Sequence, residues 1–278
     1  MSLTVSIIVP CFNAAEFLQE AIDSALEQTY PFHELIVLDD GSTDGSPDVV
    51  KSLADDSRIR FFGPYGNKGP FVLRNEGIRQ STGDLIAFLD ADDIWKPEKL
   101  SWQVREFERT PGLGLCHTRI HRLEANGDVR PTSVDPTPYR NRCFERLLHK
   151  NGIGNSSVVV PRKVFDDVGL FDETFRYRGD WEMWTRIAHK YPVSLVDRPL
   201  TLYRQHDGNV SRNYKKLRSY AIGIVEKYLA AYGAESADTR AIIEGTLTDT
   251  YRDYGVAALI ARDFEQARLD LWTALKRR

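Results

Sequence analysis

An α/β fold built on a mostly parallel, doubly wound sheet is predicted by three features of this chain. Apolar runs rich in β-branched residues alternate with amphipathic stretches through residue 90. The runs are short and mostly lack polar alternation, as in strands covered on both faces. Two of them, at 34–38 and 85–89, stop abruptly in acid, at Asp39-Asp40 and at Asp90-Ala91-Asp92-Asp93. In an open α/β sheet, ligands bind at the carboxyl ends of the strands.

Val5, Ile7, Ile8 and Val9 make a first strand over 5–9, stopped by Pro10, which suits a strand's end. Beyond Cys11-Phe12-Asn13, residues Phe17, Leu18, Ala21, Ile22, Ala25 and Leu26 recur at helical spacing, with Glu16, Glu20, Asp23 and Glu27 between them. That pattern predicts an amphipathic helix on the sheet. The second strand, 34–38, leads into the turn-forming run Gly41-Ser42-Thr43-Asp44-Gly45. Residues 46–53 suit a helix, 59–62 a third strand, 63–69 a glycine-containing loop and 71–80 a helix returning to the acidic strand. A helix opening at Pro97 is expected to run to residue 109, with a strand over 113–122. The polar, proline-containing stretch 124–142 reads as a mobile loop. A helix over 143–150, a strand over 156–160, a helix from Arg162 and a helix through Asp180, Trp181 and Trp184 come next. From Ser211 onward the chain is expected to be helical, over 217–231, 242–261 and 264–275. Ala257, Ile260, Phe264, Ala267, Leu271 and Leu275 would form the apolar seam of a helical hairpin.

The 278 residues suffice for one large α/β domain with an appendage. A net charge of −3, from 37 basic and 40 acidic residues, lacks the basic excess of a nucleic-acid binder. Cys11, Cys116 and Cys143 are far apart and form no Cys-x-x-Cys pair, which disfavours a zinc site or a disulfide framework and fits a reducing compartment. No stretch approaches the ~20 apolar residues of a membrane span, and no signal-like start is evident, so a cytoplasmic location is expected, with peripheral contact to a membrane left open. Asn155-Ser156-Ser157 and Asn209-Val210-Ser211 match the glycosylation acceptor pattern, read here as coincidence.

Asp90, Asp92 and Asp93 at a strand's end repel one another. A divalent cation bound through oxygen, itself neutralising phosphates, would hold them together; a solvated turn capping the helix near Pro97 is the alternative. Neither glycine-containing loop carries a Walker-type or dinucleotide fingerprint, which disfavours an NTPase or a dinucleotide oxidoreductase. Strand ends bearing Asp39, Asp40, Asp90 and Asp92, with Arg74 on the intervening helix, suit a nucleotide site whose base-reading and metal-binding ends are separate. Arg74 could instead be a solvated cation or a partner of Glu76 or Asp40.

The runs Val5-Ser6-Ile7-Ile8-Val9-Pro10-Cys11-Phe12-Asn13, Asp39-Asp40-Gly41-Ser42-Thr43-Asp44-Gly45-Ser46, Asn67-Lys68-Gly69 with Arg74-Asn75-Glu76-Gly77-Ile78, and Asp90-Ala91-Asp92-Asp93 resemble, in order, the successive motifs of family 2 glycosyltransferases. The resemblance implies a GT-A fold with a Rossmann-like sheet, a nucleotide-diphosphate sugar donor, UDP-sugar foremost, a divalent metal, Mn2+ or Mg2+, and inversion at the anomeric carbon. By position, Pro10, Phe12 and Asp40 would line the base pocket beside Asp39. Arg74 would serve the nucleotide or diphosphate, Asp90 the ribose or metal, and Asp92 the metal. The segment Arg178-Gly179-Asp180-Trp181-Glu182 resembles the family's Glu-Asp motif, which makes Asp180 the general base, although Gly179 stands where a glutamate is usual. Asp180 could otherwise be a helix cap, with Trp181 and Trp184 in the core. Tyr203-Arg204-Gln205-His206 with Asn209 and Ser211 is similar to a further family segment; there His206 would complete the metal shell and Arg204 would pair with phosphate, unless both are structural.

The expected organisation is a catalytic domain over 1–211, with a nucleotide-sugar half to 95 and an acceptor half over 96–211, and a helical region over 212–278. Transfer to a carbohydrate or lipid-linked acceptor in polysaccharide or glycolipid assembly is the activity implied. A nucleotidyltransferase would need a basic, glycine-rich early loop that is lacking here; a non-catalytic carbohydrate- or partner-binding relative is the other alternative. The C-terminal helices could pack on the catalytic domain, join two subunits or meet a membrane.

Overall fold

The computed structural model describes residues 2–53, 55–209 and 214–277, which form two compact units. The first holds the chain up to Cys143 and Gly152–His206; the second holds Phe144–Asn151 and the residues from Asp207. The change of unit at His206 and Asp207 lies just before the boundary expected at 211, a position outside the described residues, as is Ser211 of the two quoted patterns.

In the first unit, β1 (Val5–Cys11), β2 (Glu34–Asp39), β3 (Ile59–Phe62) and β4 (Leu85–Phe88) pair in parallel in the order β3-β2-β1-β4. Helices α1 (Ala15–Leu26), α2 (Ser46–Ser52) and α3 (Pro70–Gln80) connect them. Pro70 fits the first turn of α3, where its missing N–H would have no helical partner. Beyond β4 the sheet becomes mixed. β5 (Ile94–Trp95), a two-residue strand without a sequence signal, is followed by α4 (Lys99–Arg109), β6 (Leu115–Leu123) and β7 (Val129–Pro131). Further along lie β8 (Val159–Pro161), α6 (Arg162–Val168), α7 (Gly179–Lys190) and β9 (Val193–Arg204), with α5 (Phe144–His149) belonging to the second unit. β8 runs antiparallel to both β4 and β6, whereas β6 and β9 are parallel.

Two stretches differ from expectation. Within 124–142, β7 folds back on β6 as a hairpin, because Glu124 and Asp128 close a turn through their backbones. Residues Asn155–Ser157 form a 3-10 turn, and the strand starts only at Val159.

Helices cover both faces of the sheet. On one, Leu18, Ala21, Ile22 and Ala25 of α1 and Leu100 and Val104 of α4 pack on Ile7, Val9, Leu35, Val37 and Ala87. On the other, Phe88 meets Phe165, Phe171 and Trp184 at ring distances of 6.2, 5.5 and 6.0 Å. Each fully buried aliphatic or aromatic side chain stabilises the fold by about 1.5–3 kcal/mol. The helix α3 lies so close to β1 that a Cβ on Gly77 would stand 2.6 Å from Ile8 Cγ2. The three cysteines are buried and unbonded.

The second unit combines α5 with α8 (Tyr214–Tyr232), α9 (Ala237–Ile260) and α10 (Phe264–Lys276). Ser236 Oγ caps α9 by accepting from Thr239 N at 2.9 Å, and Asp263 Oδ1 caps α10 by accepting from Gln266 N at 3.3 Å. Asp270, fully buried, accepts two bonds from Arg218 of α8 and one from Gln266. The expected hairpin is present, with Ala267 and Leu271 of the expected seam on its inner side but Ile260, Phe264 and Leu275 turned outward. Gly255, Ala258, Ala267, Asp270 and Ala274 are buried, whereas Ile260, Phe264 and Leu275 are 79%, 65% and 67% exposed. Small residues let α9 and α10 approach closely: a Cβ on Gly255 would lie 2.8 Å from Leu271 Cγ. Among the described residues no helix is long and apolar enough to cross a membrane.

Gly77→Val places two methyls against Ile8, which is held on both sides in the sheet. The substitution should lower stability by about 1–3 kcal/mol, read as a lower urea midpoint at unchanged slope.

Candidate active site

The site begins where β1, β2 and β4 end. Asp39 and Asp40 leave β2 side by side, both buried. Asp39 accepts from the backbone N–H of Gly41 and Ser42, at 3.1 Å each to Oδ2, and so shapes its own turn. Asp40 reaches across to the next connection: Oδ1 accepts from Lys68 N at 2.7 Å and Oδ2 from Gly69 N at 2.8 Å. Gly69, at φ 102°, is in a conformation that only glycine adopts readily. Asn13 ties the turn after β1 to the one after β2, donating from N to Ser42 Oγ at 2.9 Å and accepting from Thr43 N at 2.8 Å. Pro10 is buried in β1, and Phe12 stands beside these turns with 45% of its surface exposed. The two acids thus organise the rim, and Phe12 offers an aromatic face on it.

At the end of β4, Asp93 N donates to Asp90 O at 3.1 Å, closing a tight turn that sends the carboxylates to separate partners. Asp90 Oδ1 accepts from Arg74 Nη2 of α3 and, at 2.9 Å, from Asn155 Nδ2. Arg74 is therefore neither a solvated cation nor a partner of Glu76 or Asp40: it is buried, its guanidinium 5.0 Å from the Phe71 ring. Asp93 is enclosed; Oδ2 accepts from Ser156 Oγ at 2.5 Å and Oδ1 from Arg204 N at 3.1 Å. Burial, then Asp92 and Asp90, push its carboxyl well above the usual range. Asp92 is half-buried and pairs through Oδ2 with His206 Nε2 at 2.9 Å. Its pKa too is raised, by burial and then by Asp90, with His206 opposing. The His206 ring lies 4.8 Å from that of Phe17 on α1. Arg204 is a brace: Nε donates to Asp92 O at 3.0 Å and Nη2 to Glu20.

Carboxylate oxygen and imidazole nitrogen form a donor set that suits a divalent first-row cation. Among the described residues no group of three or more His, Cys, Asp and Glu side chains could cage a metal. Hard cations in phosphate-handling sites commonly take one or two carboxylates and complete their shell with phosphate oxygens and water. The Asp92–His206 pair fits that pattern.

The third acid arrives on α7. Asp180 occupies its first turn, half-buried, and is electrostatically coupled to Arg74, Arg178 and Asp90. Burial raises its pKa; Arg74, the N–H of Trp181 and Arg178 oppose that, and Asp90 adds to it. Asp90 also acts on Asp92, so the acid at the end of β4 lies within electrostatic reach of both Asp92 and the acid at the start of α7. Trp184, a turn beyond Asp180, is fully buried 5.7 Å from Phe171. Glu182 does not enter the site: buried, it forms a bidentate pair with Arg186, which also donates to Val168 O and Leu170 O.

Gly179 has a physical cause. A Cβ there would meet Phe71 Cε2 at 2.8 Å and Cδ2 at 2.9 Å, so the Phe71 ring occupies the space a side chain at 179 would need. Phe71 is held in turn by stacking at 5.4 Å on Phe171. Sequence reasoning missed three groups. Asn155 and Ser156, seen only as part of a glycosylation pattern, bind Asp90 and Asp93. Arg178 sits at φ 61°, and its buried Nε, like that of Arg74, has no hydrogen-bond partner among the described residues. No local pattern marks Asn155 or Ser156; a non-glycine residue at positive φ before a helical acid is visible only in three dimensions.

The family model described as Glycosyl transferase family 2 matches residues 6–169, and that described as Glycosyltransferase like family 2 matches residues 132–236. An uncharacterized glycosyltransferase of Rickettsia felis is 30% identical over 213 residues, 75% of this chain and 35% of that protein. The chain thus spans about a third of the length of the first curated relatives it matches. The UDP-Glc:alpha-D-GlcNAc-diphosphoundecaprenol beta-1,3-glucosyltransferase WfgD of Escherichia coli is 30% identical over 217 residues, 77% of this chain and 82% of its own. Among solved structures, mannosyltransferase PcManGT from Pyrobaculum calidifontis, in complex with GDP-Man and Mn2+, covers 99% of this chain and 80% of that one, with a TM-score of 0.65 at 19% identity. That likeness is one of fold, and the fold is GT-A.

Two stability measurements probe the site without any ligand. Ser156→Ala strips a hydrogen bond from the enclosed Asp93 and should cost about 1–3 kcal/mol in urea unfolding. Gly179→Ala should destabilise by a similar amount in the parent and by clearly less in a Phe71→Leu background, the difference in a double-mutant cycle reporting their contact.

Proposed function

The chain belongs to glycosyltransferase family 2, and on that premise we propose that it moves a sugar from a nucleotide-diphosphate donor to an acceptor hydroxyl with inversion. The observation that carries this is the electrostatic coupling of Asp180 with Asp90 and Arg74, beside the Asp92–His206 pair. A base, a diphosphate-pairing cation and a metal-ligating pair in one cleft are the parts such a transfer needs.

Phe12 and the rim organised by Asp39 and Asp40, with Pro10 beneath, receive the nucleobase. Asp90, fixed by Arg74 and Asn155, serves the ribose. Arg74 and Arg178 pair with the diphosphate, where charge-assisted hydrogen bonds strengthen as negative charge develops on the leaving group. Asp92 and His206 would hold a divalent cation, Mn2+ or Mg2+; when bound, it offsets the charge of the departing diphosphate. Asp180 takes the proton of the acceptor hydroxyl as that oxygen attacks the anomeric carbon from the face opposite the diphosphate, which accounts for inversion. Its raised pKa makes it a stronger base than a solvated aspartate. Arg74 and Arg178 keep enough of it ionised to act.

WfgD, by its name, uses UDP-Glc and a diphosphoundecaprenol acceptor. A UDP-sugar donor and a lipid-linked or carbohydrate acceptor, in polysaccharide or glycolipid assembly at the cytoplasmic side of a membrane, are the corresponding proposals here. The unit holding Gly152–His206 is the catalytic one in this reading.

A donor screen with Mn2+ or Mg2+, following release of nucleoside diphosphate, tests the activity. Asp180→Asn should retain donor affinity by calorimetry while turnover falls by about 10²–10⁴-fold; an active variant removes Asp180 as the base. In the parent, the carboxylate is the competent form, so the rate should fall as pH drops through a limb lying above the ordinary aspartate range. Asp92→Asn should abolish the metal dependence of donor binding, and unchanged calorimetry would count against its role.

A further inference from the structure

The α9–α10 hairpin turns outward residues that a helical hairpin would normally close on. Most of the large apolar side chains exposed among the described residues lie here: Leu259, Ile260, Phe264, Leu269, Trp272 and Leu275 are 48–79% exposed. Singly exposed apolar residues are ordinary, but a cluster of them on one hairpin, interleaved with Arg268 and Lys276, is not. Phe264, Trp272 and Leu275 are spaced at intervals of eight and three, so they share one side of α10, and Leu269 flanks them. The opposite side, with Ala267, Asp270 and Ala274, is the one that packs inward.

Charge decides what covers this face. Across residues 262–277 the exposed charged positions are Arg262, Arg268, Lys276 and Arg277 against Glu265 alone. On α9 the acids Glu244, Asp249 and Asp253 are paired within the helix with Arg240 and Arg252, which leaves Asp238 at its far end and the basic excess on α10. The other two acids of the stretch are committed internally, Asp263 to Lys215 at 2.7 Å and Asp270 to Arg218. Lys276 Nζ lies 3.5 Å from the centre of the Trp272 ring, so the ammonium sits over the aromatic face. A second copy of the same face would bring the excess positive charges together. A sheet of anionic headgroups over acyl chains complements both the charge and the apolar residues.

We propose that the outer face of the α9–α10 hairpin docks in the plane of an anionic phospholipid bilayer, with Phe264, Trp272 and Leu275 entering the acyl boundary and Arg268 and Lys276 meeting the headgroups. At 13 residues α10 is too short to span the apolar layer, so it lies on it. The proposal stands on this surface alone and does not depend on sugar transfer.

Sedimentation of the full chain with vesicles tests it. The protein should pellet with vesicles of phosphatidylcholine and phosphatidylglycerol in equal parts, bind pure phosphatidylcholine far less, and be released by high salt. Trp272→Glu with Leu275→Glu should cut binding about tenfold or more, with thermal unfolding unchanged because both side chains are exposed. Arg268→Glu with Lys276→Glu, which leaves the apolar face intact, should remove the preference for the anionic lipid. Brominated acyl chains should quench fluorescence in the parent and much less in Trp272→Phe, which places that indole in the bilayer. Failure of the parent to bind anionic vesicles, or equal binding by the Trp272→Glu, Leu275→Glu variant, overturns the proposal. So does a dimer in light scattering that Leu275→Glu disperses, since that assigns the face to a second copy.

Discussion

Mutual repulsion among Asp90, Asp92 and Asp93 is the constraint that the first unit is arranged to satisfy. Unit charges a few ångströms apart and partly shielded from water oppose one another by several kcal/mol. The turn after β4 therefore draws partners from across the unit. Arg74 comes from α3, Asn155 and Ser156 from the turn before β8, and Arg204 and His206 from the end of β9. Arg74 and Asn155 share Asp90 Oδ1, Ser156 and the Arg204 N–H take the two oxygens of Asp93, and His206 meets Asp92. The long strand β9 returns beside β6 and pairs with β5, which places its last residues at that turn. The mixed half of the sheet thus exists, in functional terms, to bring cover to acids made by the parallel half.

The parallel half was legible because local chemistry and the global fold agree there. Ile59–Phe62 begins and ends where the apolar run does, and α1 and α3 start within two residues of the positions their spacing indicates. Parallel strands joined by helical crossovers, which are right-handed almost without exception, left little freedom. The second half was less legible for identifiable reasons. β5 is only two residues long, and its existence depends on β9 arriving beside it. The hairpin of β6 and β7 is made of residues with no apolar alternation; backbone bonds across a polar turn hold it.

Within the site, acids were legible and their partners were not. Asp40, Asp90, Asp92 and Asp180 carry recognisable neighbours in sequence, and Asp90 acts electrostatically on both Asp92 and Asp180. Arg74 was named, but its partner Asp90 is sixteen positions away, beyond the reach of helix spacing rules. Asn155, Ser156 and Arg178 matter only through what the fold sets against them. Ile260, Phe264 and Leu275 left the expected seam for a related reason: spacing shows which residues share a side of a helix, not which side faces in, and Gly255 and Ala258 decided that by permitting closer approach.

The grip of Asp40 on Lys68 N and Gly69 N has a consequence for how such a site can diversify. Because the carboxylate holds amide hydrogens, which nearly every residue type carries, the identity of the exposed side chain at position 68 contributes nothing to the anchoring of that loop. The rim can therefore exchange its decoration, acquiring a different preference for what rests against it, while the clasp beneath stays closed.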